Sequence, residues 1–182
     1  RTRHLFTNFC GAVLLVLASM ARADSFQISV DLSPLVLSEA NGFVDVAGGA
    51  GATLSSVPGQ PRLPQQVATY ALPPDADLAS VSVAVDEMES RDVVLAHPVR
   101  PAAPWRTSPD AAPFYGGAQN VVDGKDLDVY GADAFAPGAA AVREGVSQMR
   151  RWKLVRVTLN PALYNPVQGV LRQVSRATFT VS

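Results

Sequence analysis

Cysteine and histidine are nearly absent from this sequence. The 182 residues contain one cysteine, Cys10, and two histidines, His4 and His97. Beyond residue 23, His97 is the only residue of either type. A Cys-His pair for nucleophilic catalysis therefore cannot form in that part of the chain, and no disulfide can stabilise it. His97 also lacks a second histidine or a cysteine to complete a metal site, so we expect neither a metal nor a cofactor.

An excess of positive charge is also missing. Fifteen Lys and Arg residues face sixteen Asp and Glu residues, which gives a net charge of −1 and no global basic field for nucleic acid. The charge is nevertheless uneven, because the acidic residues concentrate in residues 75–92 and 123–133 while basic residues dominate from Arg143 onward. Either strands from these regions pair across a sheet, or an arginine-bearing surface docks on an acidic partner. The basic residues of this last quarter are Arg143, Arg150, Arg151, Lys153, Arg156, Arg172 and Arg176.

The N-terminus has the pattern of a secretory signal peptide. Arg1, Arg3 and His4 precede an apolar run over residues 9–20, and Ala21-Arg22-Ala23 follows as a small-x-small cleavage pattern. The run is shorter than the roughly 20 residues that cross a bilayer, so we expect no membrane attachment once it is removed. The sequence thus predicts a signal peptide over residues 1–23, one domain over residues 24–182, and a secreted, periplasmic or cell-surface location.

Period-two alternation of apolar and polar residues dominates the rest of the chain. It is clear in residues 26–32, 81–85, 152–159 and 177–181, with a further short strand predicted at 93–96. Asn41-Gly42, between two short apolar runs, favours a two-residue hairpin turn. No segment carries a sustained helical stripe, and 13 Gly and 14 Pro punctuate the chain. We therefore predict an all-β fold, a β-sandwich or a curled open barrel with long Pro-rich loops.

The longest of these predicted loops covers residues 97–117. It contains five prolines together with Trp105, Phe114 and Tyr115. We expect an extended connection that either wraps the sheet or lies on a partner. The aromatic residues either anchor this loop to the core or form a platform for stacking sugars.

Two proline-containing motifs and their order resemble a known family. The first is Gly59-Gln60-Pro61-Arg62-Leu63-Pro64, followed by a valine-rich strand, and the second is Tyr164-Asn165-Pro166, which leads into the last strand. Each proline fixes its own φ and keeps the preceding residue out of the helical region. Over about residues 55–182 the sequence resembles the N-terminal prodomain of gingipain-type cysteine peptidases. The motif positions that carry the resemblance are Gly59, Pro61, Leu63, Pro64, Tyr164, Asn165 and Pro166.

The resemblance implies a non-catalytic role. Such a prodomain is a β-rich inhibitor and folding aid that keeps the caspase-like catalytic domain of the same precursor latent, so that domain is the expected partner downstream of Ser182. The family inhibits through a basic residue on an exposed loop. We expect Arg143, in the loop before the Trp152 strand, to be this residue, with Arg150 and Arg151 next in order; otherwise all three are solvated loop arginines. The alternative function is a secreted β-sandwich that binds carbohydrate or a cell-surface partner.

Two acidic segments carry weaker signals. Residues 123–128 contain three aspartates, but their spacing does not fit a calcium loop, so a solvated turn is expected. The acidic residues between 86 and 92 are expected to form the exposed end of a hairpin rather than a pair of catalytic carboxylates.

Overall fold

The computed structural model describes residues 25–182, which form two antiparallel sheets packed face to face. The predicted signal peptide lies outside the described residues. Within residues 25–182 there are twelve strands and one short helix. They are β1 (Phe26–Asp31), β2 (Val36–Ala40), β3 (Phe43–Ala47), β4 (Thr53–Leu54), β5 (Pro64–Leu72), β6 (Val83–Val94), β7 (Val121–Val122), β8 (Lys125–Asp126), α1 (Leu127–Tyr130), β9 (Ala141–Met149), β10 (Trp152–Leu159), β11 (Ala162–Asn165) and β12 (Val170–Val181).

The long strand β12 organises the first sheet. Strand β6 pairs along one edge of β12, while β1 and β11 pair in succession along the other. The second sheet has the order β4-β5-β10-β9. Two hairpins, β2-β3 and β7-β8, complete the described fold. The expectation of an all-β, sandwich-like fold is confirmed. The described part of the chain holds no helix long and apolar enough to span a bilayer.

The alternation seen in the sequence builds the main core. Val155 and Val157 of β10 are fully buried and share the main core with Phe179 of β12. The Phe179 ring meets that of Tyr70 edge to face, with centroids 5.9 Å apart. Each such side chain stabilises the fold by about 1.5–3 kcal/mol through removal of its apolar surface from water.

A second, smaller core lies beneath the β2-β3 hairpin. Val44 and Val46 of the hairpin pack with Leu63, Val99 and Tyr164, all of them nearly inaccessible to solvent. The hairpin turns at Asn41 and Gly42, whose φ angles are 55° and 75°. Positive φ at both central positions is what a two-residue turn of this hand requires, so the prediction of a hairpin here is confirmed.

The acidic segment after Val85 is part of a strand and not the end of a hairpin. Residues 83–94 form the single strand β6, so the predicted separate strand at 93–96 and the turn before it are wrong. The acidic side chains are compatible with a strand because basic side chains of β12 lie opposite them. Arg172 donates to Asp92 at 2.7 and 2.8 Å, and Arg176 contacts Glu89 at 3.3 Å. The acidic and basic regions do pair across a sheet, as one of the two interpretations proposed.

Candidate functional site

Two of the three predicted arginines form the tip of the β9-β10 hairpin. Arg150 and Arg151 are the whole connection between Met149 and Trp152, and both are exposed. Arg150 has a φ of 55°, a left-handed conformation that costs a non-glycine residue about 1–2 kcal/mol. The side chain of Gln148 donates a 3.0 Å hydrogen bond to the Arg150 carbonyl and holds the turn. The guanidinium of Arg151 lies 5.3 Å from the centre of the Trp152 ring.

Arg143 does not lie in a loop, so the expectation that placed it in one is wrong. It sits within β9, opposite the buried Val157. Because Gly145 pairs with Arg156 while Arg143 pairs with Val157, Glu144 is an extra residue on β9, a β-bulge. The bulge interrupts the alternation of the strand, which is why the sequence pattern did not show it.

These three arginines differ electrostatically from the other arginines of the basic region. Arg156 lies 3.7 Å from Glu144, and Arg172 and Arg176 each bind carboxylates. Within residues 25–182, no carboxylate lies within 4.0 Å of the guanidinium of Arg143, Arg150 or Arg151. Their positive charge is therefore available to a partner.

A second exposed loop carries an arginine that the sequence analysis missed. Trp105 and Phe114 exchange two backbone hydrogen bonds, of 3.0 and 2.9 Å, and so close a loop that we call the finger loop, residues 105–114. Their rings, 5.9 Å apart and about half exposed, cap its base. Arg106 is exposed, and its guanidinium donates to the carbonyls of Ala111 (3.1 Å) and Pro109 (3.4 Å). Two aromatic residues flanking a proline-bearing stretch were the only sequence signal for this closed loop.

The first part of the Pro-rich connection packs on its own chain. Val99 is fully buried, and the backbone on either side of it is hydrogen-bonded to Val44 of β3, at 2.9 Å in each direction. Further along the connection, the Arg100 carbonyl accepts a 2.9 Å hydrogen bond from the backbone N–H of Arg62. The backbone N–H of Ala102 donates to the Gln60 carbonyl at 2.8 Å. This segment therefore wraps the fold, as one of the two expectations had it.

Asp45 joins the three segments that meet there. Its carboxylate accepts a hydrogen bond from Arg62 at 2.9 Å and two from Arg100 at 2.8 and 2.9 Å. The Arg100 hydrogen bond, followed by the charges of both arginines, lowers the pKa of Asp45 below its ordinary value. Arg100 also lies 5.2 Å from the centre of the Phe43 ring and donates to the Ala40 carbonyl. Asp45 thus ties the hairpin, the connection and the Gly59-to-Pro64 segment together.

The first motif serves the fold. Gly59 has a φ of 81°, and a side-chain carbon placed there would lie 3.2 Å from Asp126, whose backbone N–H donates to the Gly59 carbonyl. Pro61 forms a β-bridge with Pro101, Leu63 is buried in the second core, and Pro64 begins β5. These residues therefore position the strands, and none of them presents a reactive group.

The second motif is equally structural. Tyr164 is buried and exchanges two 2.9 Å backbone hydrogen bonds with Ala136; burial raises the pKa of its phenol. The side chain of Asn165 donates to Asp133 at 2.9 Å and accepts from the backbone N–H of Gln168 at 3.1 Å. Pro166 opens the turn that leads into β12. The motif is therefore the connection between β11 and β12.

The aspartates of residues 123–128 form a turn and a helix cap. Asp123 and Gly124, both with positive φ, connect β7 to β8, and the Asp126 carboxylate accepts from the Asp128 backbone N–H at 3.1 Å. Their arrangement is explained by backbone geometry.

Comparison with known proteins gives one family and two similar structures. The model of the family Propeptide_C25 matches residues 37–182. A structure of the complex of RgpB pro- and mature domains from Porphyromonas gingivalis is 18% identical and aligns over 90% of this chain and 80% of that one, with a TM-score of 0.66. A structure on the zymogenic latency of gingipain K from the same organism is 20% identical and aligns over 87% and 85%, with a TM-score of 0.60. No curated protein matches the sequence.

Proposed function

Since this chain belongs to the Propeptide_C25 family, we propose that it is the prodomain that holds an exported, gingipain-like cysteine peptidase latent until it is cleaved away. The family match carries the proposal, because it spans every strand from β3 to β12 and all but the first residue of β2. The two similar structures, a pro- and mature-domain complex and a study of zymogenic latency, support it. The catalytic domain of the same precursor is then the partner, and residues 1–23 are its export signal.

Inhibition would work through an exposed cation on a pre-ordered loop. An arginine in an acidic specificity pocket makes charge-assisted, bidentate hydrogen bonds to a carboxylate. A loop that is already fixed loses little conformational entropy on binding, so the hairpin tip and the finger loop both suit this task. Arg150 and Arg151 are the first candidates because their charge is uncompensated within the described residues. Arg106 is the second, because its loop is closed at the base by two backbone hydrogen bonds.

Cleavage would convert the tethered inhibitor into a dissociable one. While the two domains share a chain, the effective concentration of the inhibitor is in the millimolar range for a short linker. After cleavage only the intrinsic affinity remains.

We also propose that the domain assists folding of the peptidase by offering it a preformed β surface.

The test is an inhibition titration. Residues 24–182 are purified and added to the peptidase domain of the same precursor, with Arg150→Ala/Arg151→Ala, Arg106→Ala and Arg143→Ala as variants. We expect tight inhibition by the unmodified domain and loss of it in one of the two loop variants, while Arg143→Ala, within a strand, retains it. Absence of inhibition by the unmodified domain would contradict the latency role and favour a binding module. Full inhibition by all three variants would keep the role and discard these arginines.

A further inference from the structure

The outward side of the second sheet carries a group of large apolar side chains. Side chains that point away from the core there include four large apolar groups with high exposure, Val67 (53%), Val142 (43%), Met149 (65%) and Trp152 (48%). Together with their apolar neighbours they form what we call the apolar face. The apolar face consists of Val67, Ala71, Val142, Met149, Trp152 and Leu154.

The strand register determines how the side chains of this face are arranged. Neighbouring strands lie about 4.8 Å apart, and paired residues project to the same side of a sheet. Four rows cross the sheet on this side: Val67, Thr158 and Val142; Thr69, Arg156 and Gly145; Ala71, Leu154 and Ser147; and Trp152 beside Met149. The second of these rows is polar, and its Arg156 lies 3.7 Å from Glu144, so an ion pair separates Val67 and Val142 from the remaining apolar side chains.

The outward side of the first sheet is entirely different. There Arg176 lies between Asp31, at 2.6 Å, and Glu89, at 3.3 Å. Asp86 accepts hydrogen bonds from Gln27 at 3.0 Å and Thr180 at 2.7 Å. Those charged and polar side chains bond to one another at the solvent-facing surface. In the first sheet Val94, at the end of β6, is the one large apolar side chain that is exposed (79%), whereas the second sheet groups four of them on one side, and such a group marks an interaction site.

The apolar face runs directly into the hairpin tip. Trp152 belongs to the face, and the guanidinium of the adjacent Arg151 lies over its ring. Arg150 and Arg151 border the face with positive charge that no carboxylate in the described residues compensates. Tryptophan and arginine are the residue types that most often contribute binding energy at protein interfaces. A complementary partner presents an apolar patch bordered by carboxylates.

We propose that the apolar face is the surface by which this domain docks on the peptidase domain of its own precursor. The proposal rests on the proposed function and adds to it the sheet that makes the contact. A second copy of this chain fits less well, because an identical face brings its own arginines and a single glutamate, already paired, to the contact. A peptidase whose specificity pocket accepts arginine carries carboxylates there, which complement the positive charge of Arg150 and Arg151.

Photocrosslinking in the full precursor tests the contact. The photoreactive residue p-benzoylphenylalanine replaces Trp152 or Val67 on the apolar face, and Thr180 or Ser29 on the opposite side as matched controls. We expect crosslinks to peptides of the peptidase domain from the first two positions and not from the controls. Crosslinks from the control positions alone, or from the apolar face to a second precursor molecule, would overturn the proposal.

Inhibition measurements separate this proposal from the proposed function. In the isolated domain, Val67→Glu and Met149→Glu are expected to raise the inhibition constant roughly tenfold or more each, since a charge replaces an apolar contact in the interface. Ala84→Glu, at an exposed position on the outward side of the first sheet, is the control and is expected to leave the constant unchanged. All three positions face solvent, so circular dichroism should show an unaltered fold. If the unmodified domain inhibits and neither apolar-face variant weakens it, the docking surface is refuted and the latency role stands. If crosslinks form but the unmodified domain does not inhibit, the latency role is refuted and the surface stands.

Discussion

Replacing Asp45 by asparagine is expected to destabilise the described domain measurably at neutral pH. The asparagine keeps the shape of the side chain but removes the charge that binds Arg62 and Arg100, and its amide group cannot accept both arms of the Arg100 contact. Hydrogen bonds to charged groups contribute about 1.5–3 kcal/mol when buried, whereas exposed ion pairs contribute about 0–1 kcal/mol. Asp45 and Arg100 are each 26% exposed, which places this site between the two limits. We expect a loss of about 1–2 kcal/mol and a fall in Tm of roughly 2–8 °C.

The pH dependence of this loss has a definite sign. The pKa of Asp45 is lowered in the folded protein from its ordinary value of 3.8, chiefly by the hydrogen bond from Arg100. The folded state therefore binds this proton less readily than the unfolded state, so the carboxylate stabilises the fold fully above the unfolded pKa. That contribution is lost as the pH falls below 3.8 and through the folded pKa. The difference between wild type and Asp45→Asn should be constant from pH 6 to 8 and shrink in acid.

Urea denaturation followed by circular dichroism, at neutral pH and across the acid range, measures both effects. Asp31→Asn is the matched control, because Asp31 also binds an arginine but its side chain is 69% exposed. Arg176 keeps Glu89 when Asp31 is neutralised. We expect almost no change in this control. An equal loss in the two variants, or a loss in Asp45→Asn that persists unchanged in acid, would refute the assignment of Asp45 as the charge that joins the three segments.

Two further predictions concern the motifs and the main core. Gly59→Ala should cost about 1–2 kcal/mol, because its φ of 81° is unfavourable for alanine, while Gly138→Ala, with open space around it, should be nearly neutral in the same denaturation assay. Phe179→Ala should cost about 3–5 kcal/mol through the cavity it leaves, and should lower the pKa of Tyr70 from about 12 toward 10 in a spectrophotometric titration as water reaches the phenol. Phe114→Ala, at an exposed position, is the control, and an unchanged Tyr70 titration in Phe179→Ala would contradict the edge-to-face packing of Phe179 on Tyr70.

Local sequence signals predicted the parts of the fold that depend on local physics. The Asn41-Gly42 turn, the alternation in β10 and the alternation at the end of β12 each arise from residues adjacent in sequence. The prolines around Tyr164 likewise fixed the connection between β11 and β12 by restricting φ. The order of these signals was sufficient to indicate the family.

Features that depend on distant partners could not be read from the sequence. Strand β6 carries five charged residues and resembles an exposed turn until Arg172 and Arg176, eighty or more positions away, are placed opposite its carboxylates. Strand β9 was hidden by its bulge at Glu144, which put Arg143 in a predicted loop. The finger loop depends on a bridge between Trp105 and Phe114 that no local pattern specifies.

The two outward sides of the sandwich suggest how one domain can be both stable and removable. Charged side chains on the first sheet pair with one another, as Arg176 does with Asp31 and Glu89. This surface is therefore stable in contact with water without a partner. The apolar face adjoins the Arg156–Glu144 ion pair and is bordered by Arg150 and Arg151, a mixture of apolar and charged groups typical of interfaces that form and dissociate. Tethering raises the effective concentration enough that such an interface is occupied before cleavage without being permanent after it. A substitution that adds apolar contacts to this face should therefore slow release of the cleaved domain. It should improve latency of the intact precursor less, because the tether already keeps the contact occupied there.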